Sequence, residues 1–303
     1  MMSYRKRRDK MRSLVTDGRA SVGCRGGRLF LLTVLMLAPV VLFANGEQEG
    51  GSFRLSMGGS TTMDPVMSSA VERYRTEIDP TAELSYDAPG STAGIQGTLN
   101  GVYDVGAASR ALYIREREQG LNEVTIAVDG LAVVGHATVP IDDISLDDLA
   151  KIFVGEIRNW QEFGGPDQEI IVVRRDQASG TFGAFMEAVL VRTYGDDARY
   201  IRRSLVTESN GNMATMVTQT PYAIGYVSLV TMRRVQEQGG KAISVNGVEN
   251  SIETVATGEY PITRPLNVVF VGEPTGRRKV FLDFLLGEIG QNIVRDVGFL
   301  PVR

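Results

Sequence analysis

Histidine, cysteine and tryptophan each occur once in this chain of 303 residues. Cys24 precedes the apolar run near the N-terminus, so a chain processed after that run has no cysteine. That excludes disulfides and thiol chemistry from a mature form. It also argues against a lipid anchor, because a lipoprotein signal carries its cysteine just after the run. A nucleophilic triad or a His-based metal site would have to use His136 alone. His136 lies in an apolar stretch, and a structural role is expected of it. The acidic pairs Asp142-Asp143 and Asp147-Asp148 read as loop and helix-start residues, so no metal or cofactor is expected. Trp160 reads as a packing anchor.

The apolar run itself is short. Leu29–Phe43 is 15 residues, interrupted by Pro39, against about 20 for a membrane-spanning helix. Nine basic side chains precede it, including Arg5, Lys6, Arg7 and Arg8, against only Asp9 and Asp17. Ala44-Asn45-Gly46 follows it. A basic start, a short apolar run and a small-residue exit describe a secretory signal peptide, residues 1–46, cleaved near 44–46. Export to the periplasm is the expectation. The whole chain carries 32 basic and 36 acidic residues. Without the nine and the two, 23 and 34 remain, a net charge of −11. Nucleic acid and anionic membranes are disfavoured as partners. Any anion must be held by local dipoles, since the global field repels it.

After residue 52, strand-like runs alternate with helical patterns. Strands are expected at Phe53–Met57, Glu83–Ala88, Val105–Ala108, Glu123–Val128, Leu131–Ala137, Ile170–Arg174, Ala223–Val227 and Leu266–Val271. Helices are expected from near Pro65, over about 92–100, over Leu146–Val154 behind a Ser145 cap, from Thr181, and over about Lys279–Ile293. This alternation indicates an α/β protein with largely parallel sheets. A mature chain of about 257 residues exceeds one usual core, so two lobes are expected.

Three strand-to-helix junctions share one chemistry. They read Gly58-Gly59-Ser60-Thr61-Thr62, Gly90-Ser91-Thr92-Ala93-Gly94, and Arg174-Arg175-Asp176-Gln177-Ala178-Ser179-Gly180-Thr181. A helix N-terminus presents N–H groups without intrahelical partners, and the helix dipole adds about half a positive charge there. Glycine permits close approach, and Ser/Thr hydroxyls add donors. Arg175 offers a bidentate cationic fork. Such ends around one point suit a small tetrahedral oxyanion. Any one of them alone is also an ordinary Ser/Thr cap. Arg174 adjoins Arg175 on a strand and is expected on the opposite face.

These residues carry a resemblance. The stretches 58–66 (GGSTTMDPV), 90–94 (GSTAG), 104–112 (DVGAASRAL), 152–165 (IFVGEIRNWQEFGG), 172–181 (VVRRDQASGT) and 223–227 (AIGYV) resemble, in order and spacing, the Pst-type phosphate-binding proteins of bacterial phosphate ABC importers. The resemblance covers about residues 52–303. It implies a type II periplasmic-binding-protein fold of two α/β lobes with a two-strand hinge. Lobe 1 is then 47–131 plus 268–303, and lobe 2 is 132–267. It implies high-affinity phosphate capture as a monomer, delivery to a membrane permease, and no enzymatic activity. The implied ligands are Thr61, Thr62, Ser91, Ser109, Arg175, Ser179, Gly180 and Thr181, with Arg110 as a second positive contact. Ser109 stands where many members carry an aspartate that accepts the ligand's proton, and Gln177 where many pair an acid with the arginine. Asp64 and Asp87 are alternative proton acceptors. With Ser109 in place, other tetrahedral oxyanions such as sulfate or molybdate remain alternatives. A phosphatase or a phosphate sensor on the same fold is a remoter one.

Overall fold

A computed structural model describes residues 53–303; the expected signal segment and its processing site lie outside the described residues. The first part of the chain folds as alternating units: β1 (Arg54–Gly59), α1 (Asp64–Glu77), β2 (Glu83–Asp87), α2 (Ser91–Leu99), β3 (Val105–Ala108) and α3 (Ile114–Arg117). A long strand follows, β4 (Leu121–Gly135), then β5 (Asp143–Ile144), α4 (Leu146–Val154), β6 (Ile171–Arg175), α5 (Gly180–Phe185), α6 (Arg192–Tyr194), β7 (Leu205–Thr207) and α7 (Asn210–Gln219). The chain closes with β8 (Ala223–Ser228), α8 (Leu229–Glu237), β9 (Lys241–Val245), α9 (Ile252–Thr257), β10 (Thr263–Val271), α10 (Gly276–Leu286), α11 (Glu288–Val297) and β11 (Leu300–Pro301).

The strands follow one hydrogen-bonded path, β2-β1-β3-β10-β4-β8-β6-β7. Pairing is parallel within β2-β1-β3 and within β8-β6-β7, as βαβ connections require. It is antiparallel where β10 and β4 join these two sets. The apolar interior divides along the same line. One large cluster draws on residues between Leu131 and Ile262. The other draws on Leu55 to Ala127 and Leu266 to Phe299. Strand β4 runs from one cluster into the other: residues 121–130 pair with β10, and residues 131–135 pair with β8.

Two sequence expectations are corrected here. The expected strands Glu123–Val128 and Leu131–Ala137 are one strand, and Asp129-Gly130 does not turn the chain. Asp129 is buried in an ion pair with Arg264. A side chain at position 130 would strike Val255 Cγ2 at 2.8 Å, so glycine there answers to packing and not to a bend. The expected helix Lys279–Ile293 is two helices, because Gly287 takes an extended conformation (φ −78°, ψ 177°) that ends α10 and starts α11. Helices α7, α8 and α9 were not anticipated. They are short, and their apolar stripes are thin; only Met213, Ala214 and Val217 of the apolar residues in α7 are buried.

Trp160, His136 and Arg174 take structural roles. Trp160 is fully buried and donates from Nε1 to the Tyr222 carbonyl at 3.1 Å. His136 Nδ1 accepts from the Thr138 N–H at 3.0 Å in the turn after β4. Arg174 points away from Arg175, donating to Ser204 Oγ at 2.9 Å and lying over Phe182 and Tyr200.

Close backbone approach decides how α2 seats. A Cβ at Gly94 would collide with the Gly58 carbonyl oxygen and the Gly59 Cα of β1. Gly94→Ala should therefore push α2 off the sheet and cost about 1–3 kcal/mol, the overpacking range. Urea denaturation of the two proteins measures it; an unchanged midpoint would show that α2 shifts freely.

Candidate functional site

The three glycine- and hydroxyl-bearing junctions meet at one place. The first, residues 60–63, is a turn between β1 and α1 in which Ser60 Oγ accepts from the Thr62 N–H at 3.1 Å. The second is the start of α2, where Gly90 takes φ +106°, a conformation open to glycine. The third is the start of α5. Ser179 caps it, its Oγ accepting from the N–H groups of Thr181 (3.1 Å) and Phe182 (3.4 Å).

Contacts tie the junctions together, and the first two cross from one core to the other. The Thr92 N–H donates to the Ala178 carbonyl at 3.0 Å. The Thr62 and Thr181 hydroxyl oxygens lie 3.4 Å apart. The Ser109 N–H donates to Ser91 Oγ at 3.1 Å, and the two hydroxyls sit 3.4 Å apart. Gly180 faces that pair so closely that a Cβ would overlap both hydroxyls. Thr61, Thr62, Ser91, Ser109, Arg175, Ser179, Gly180 and Thr181 are thus gathered in one cluster, buried except for the half-exposed Thr61. An open cavity of about 420 Å³ adjoins it, lined in part by Thr61, Gly90, Arg175, Ser179 and Glu208.

Arg175 is the electrostatic centre. Its residue is 1% exposed. Its guanidinium donates to neutral oxygens: the carbonyls of Thr207 (3.3 Å) and Glu208 (2.6 Å), Asn210 Oδ1 (3.3 Å), and the hydroxyls of Thr61 and Thr181 (both 3.5 Å). The nearest carboxylate, Asp176, is 4.0 Å away. Burial pushes the Arg175 pKa down to about 10, with Asp176 opposing, so it is still a cation at neutral pH. A buried cation with no close counter-ion is costly unless an anion joins it. The two 3.5 Å hydroxyl contacts are at the limit of a hydrogen bond. They leave one N–H on each terminal nitrogen for a better acceptor. Beneath, Tyr226 stacks on Phe185 at 3.9 Å and accepts from the Arg175 N–H at 3.4 Å, fixing the strand end.

Arg110 does not join this cluster. Its guanidinium makes a bidentate pair with Glu116, both bonds 2.8 Å, and lies 3.9 Å from the Tyr113 ring centre. Its charge is met there, so the expected second positive contact is not placed at the cluster. Asp64 and Asp87 are exposed, and Asp64 accepts from Ser68. Gln177 is exposed as well.

Two residues that the sequence reading missed complete the cluster. Asn210, at the start of α7, donates from Nδ2 to Thr62 Oγ1 at 3.0 Å. Arg264, on β10, donates to Thr181 Oγ1 at 2.7 Å and to Thr62 Oγ1 at 3.2 Å. Neither stands in a glycine-rich junction. The one signal for Arg264 was a charged residue flanking an apolar strand, next to Pro265.

Comparison with known proteins bears on this arrangement. Residues 44–288 match the family model of the PBP superfamily domain. The phosphate-binding protein PstS of Borreliella burgdorferi is 32% identical over 276 residues, covering 90% of this chain and 98% of that protein. PstS of Bacillus subtilis is 35% identical over 266 residues, covering 86% and 84%. The chain belongs to the PstS family of phosphate-binding proteins. A solved phosphate ABC transporter substrate-binding protein from Clostridium perfringens, with bound phosphate, is 35% identical. It aligns over 82% of this chain and all of that one, with a TM-score of 0.74.

For this PstS-family chain, the Arg110–Glu116 pair has a stability role that can be separated from the cluster. Burial raises the Glu116 pKa, but the Arg110 hydrogen bonds and the Tyr113 N–H outweigh it, and the net shift is downward. A lowered carboxylate pKa adds stability above its unfolded value and loses it as pH falls through the folded value. Glu116→Gln should cost about 3 kcal/mol at neutral pH, as for breaking one side of a buried pair. The gap to the unaltered protein should close below the usual carboxylate range. Thermal melts of both proteins across pH 3–7 test this; a pH-independent gap would refute it.

Proposed function

We propose that this protein captures inorganic phosphate between two lobes and delivers it to the membrane permease of an ABC importer. The observation that carries this reading is Arg175: a buried cation, hydrogen-bonded to neutral oxygens, beside three converging helix starts. Its forked donors, with the hydroxyls of Thr61, Thr62, Ser91, Ser109, Ser179 and Thr181, supply a dehydrated shell for a tetrahedral oxyanion. Micromolar capture corresponds to about −8 kcal/mol. Charge-assisted hydrogen bonds of about 1.5–3 kcal/mol each reach that when several act together.

The lobes are 47–131 plus 268–303 and 132–267, joined by β4 and β10. The division of the apolar interior into two clusters supports these bounds to within a few residues, with Leu131 packing in the cluster of the second lobe and Leu266 in that of the first. Phosphate binds in the cleft, and the lobes close on it by a hinge motion. The protein acts as an exported monomeric carrier and not as an enzyme.

One observation favours a second tetrahedral oxyanion, sulfate, as a competing ligand. The buried carboxylate nearest the cluster, Asp129, is held by Arg264 and by the Leu229 N–H. It is committed to these partners and does not serve as an acceptor for a ligand proton.

Arg175→Ala should lower phosphate affinity more than 100-fold, about 3 kcal/mol, with the far-ultraviolet circular dichroism unchanged. Titration calorimetry decides this; an unchanged dissociation constant would place Arg175 outside the site. Mass spectrometry of the protein recovered from the periplasm should find an N-terminus close to residues 44–46. Recovery of the unprocessed chain from the membrane would contradict the signal-peptide reading.

A further inference from the structure

A second cavity, of about 560 Å³, shares no lining residue with the one beside Arg175 and has the opposite character. Its lining comes from three segments: residues 110–115 after β3, residues 183–188 of α5 and its continuation, and residues 263–265 at the start of β10. The first belongs to lobe 1, the second to lobe 2, and the third to a strand that joins them. The lobe 1 wall carries Ala111, Leu112 and Ile114, the lobe 2 wall carries Ala184 and Ala188, and Pro265 lies at the connecting strand. The walls touch at Gly183, where a Cβ would come within 2.7 Å of Tyr113 Oη and 2.9 Å of Arg110 Cδ.

The chemistry of these walls selects the occupant. The two buried arginines in the lining are committed, Arg110 to Glu116 and Arg264 to Asp129. The two exposed charges, Arg115 and Glu187, are of opposite sign, so the cavity has no net charge to offer. A charged ligand would leave water without gaining a counter-ion. A peptide segment would bring N–H and C=O groups that these apolar walls do not pair. An uncharged apolar molecule meets neither cost, and small-molecule pockets of about 300–1,000 Å³ favour the boundaries between domains. Two further observations point to an occupant. Ile114 is 74% exposed and Tyr113 38% exposed, apolar surface that a bound molecule would take out of water. Residues Met186–Val191 continue α5 as a π-helix, which carries Glu187 and Ala188 to the lobe 2 wall. Such segments are rare and frequently mark functional sites.

We propose that this cavity is a second ligand site, which takes a small uncharged apolar molecule and through it favours closure of the lobes. A molecule seated between the walls touches both lobes only while they are closed. Its affinity for the closed form then exceeds that for the open form, and a ligand shifts an equilibrium by just that difference. Phosphate, held between the same lobes, selects the same form. The two ligands therefore strengthen each other, and by one factor, since coupling between sites is reciprocal. This coupling rests on the phosphate-capture reading; the apolar site itself does not.

The probe is N-phenyl-1-naphthylamine, an uncharged aromatic amine whose fluorescence rises in apolar surroundings, titrated into the mature protein with and without saturating phosphate. One molecule should bind per chain, at least about tenfold more tightly when phosphate is present. Calorimetry should find phosphate bound more tightly by the same factor when the probe is saturating. 1-Anilinonaphthalene-8-sulfonate, the same ring skeleton with an added sulfonate, should bind at least about tenfold more weakly than the uncharged probe. Ala111→Phe fills the cavity from lobe 1 and Ala188→Phe from lobe 2, and each should weaken the probe at least about tenfold. Circular dichroism checks the fold of both, and either one alone suffices if the other does not fold. Probe affinity unchanged in a folded variant, or indifferent to phosphate, overturns the proposal. So does a sulfonate that binds as tightly as the uncharged probe. Absence of phosphate binding to the unaltered protein is a different result: it removes the capture reading, while the two variants still decide the apolar site.

Discussion

A buried guanidinium without a close carboxylate is the constraint on which this structure turns. Arg175 is held at the end of β6, above the aromatic floor of Phe185 and Tyr226, by two backbone carbonyls and an amide oxygen. Those partners hold the side chain in place without cancelling its charge. Desolvation lowers its pKa but leaves it charged at neutral pH. The three helix starts, the glycines that let them approach, and the closeness of the two sides of the cleft acquire a common purpose around that charge.

The other four buried charges near the cluster are handled differently. Arg110 is neutralised by Glu116 with two good bonds and an aromatic face. Arg264 and Asp129 neutralise each other on the two connecting strands. A chain with a net charge of −4 does not attract an anion by its global field. Leaving one of the three arginines without a hydrogen-bonded carboxylate concentrates the attraction at a single point.

Much of this site was legible in the residues. The three junctions were found from glycine next to hydroxyl next to a helix pattern, the nine ligands were implied by the family resemblance, and eight of those nine lie together. Arg110 was the exception: the motif places it beside Ser109, but only the fold brings Glu116 under it. Asn210 and Arg264 were invisible for the opposite reason. Each stands alone in its own segment, and each matters only because a distant segment, around Thr62, is folded against it. The merged strand through Asp129-Gly130 was missed for the same cause, since Asp129 is paired with a residue 135 positions away.

Sequence alone determined the local conformations and the class of chemistry. Alternating apolar patterns made βα units, small residues at their joints made anion-seeking helix ends, and the scarcity of histidine and cysteine removed most catalytic and metal chemistries. These depend on neighbours within a few residues, so they can be read in order along the chain. Tertiary structure decided which charges are neutralised and which stay without a bonded carboxylate. Those properties depend on which groups from remote segments share a volume without water, where an added partner or a missing one shifts the balance by more than any local preference.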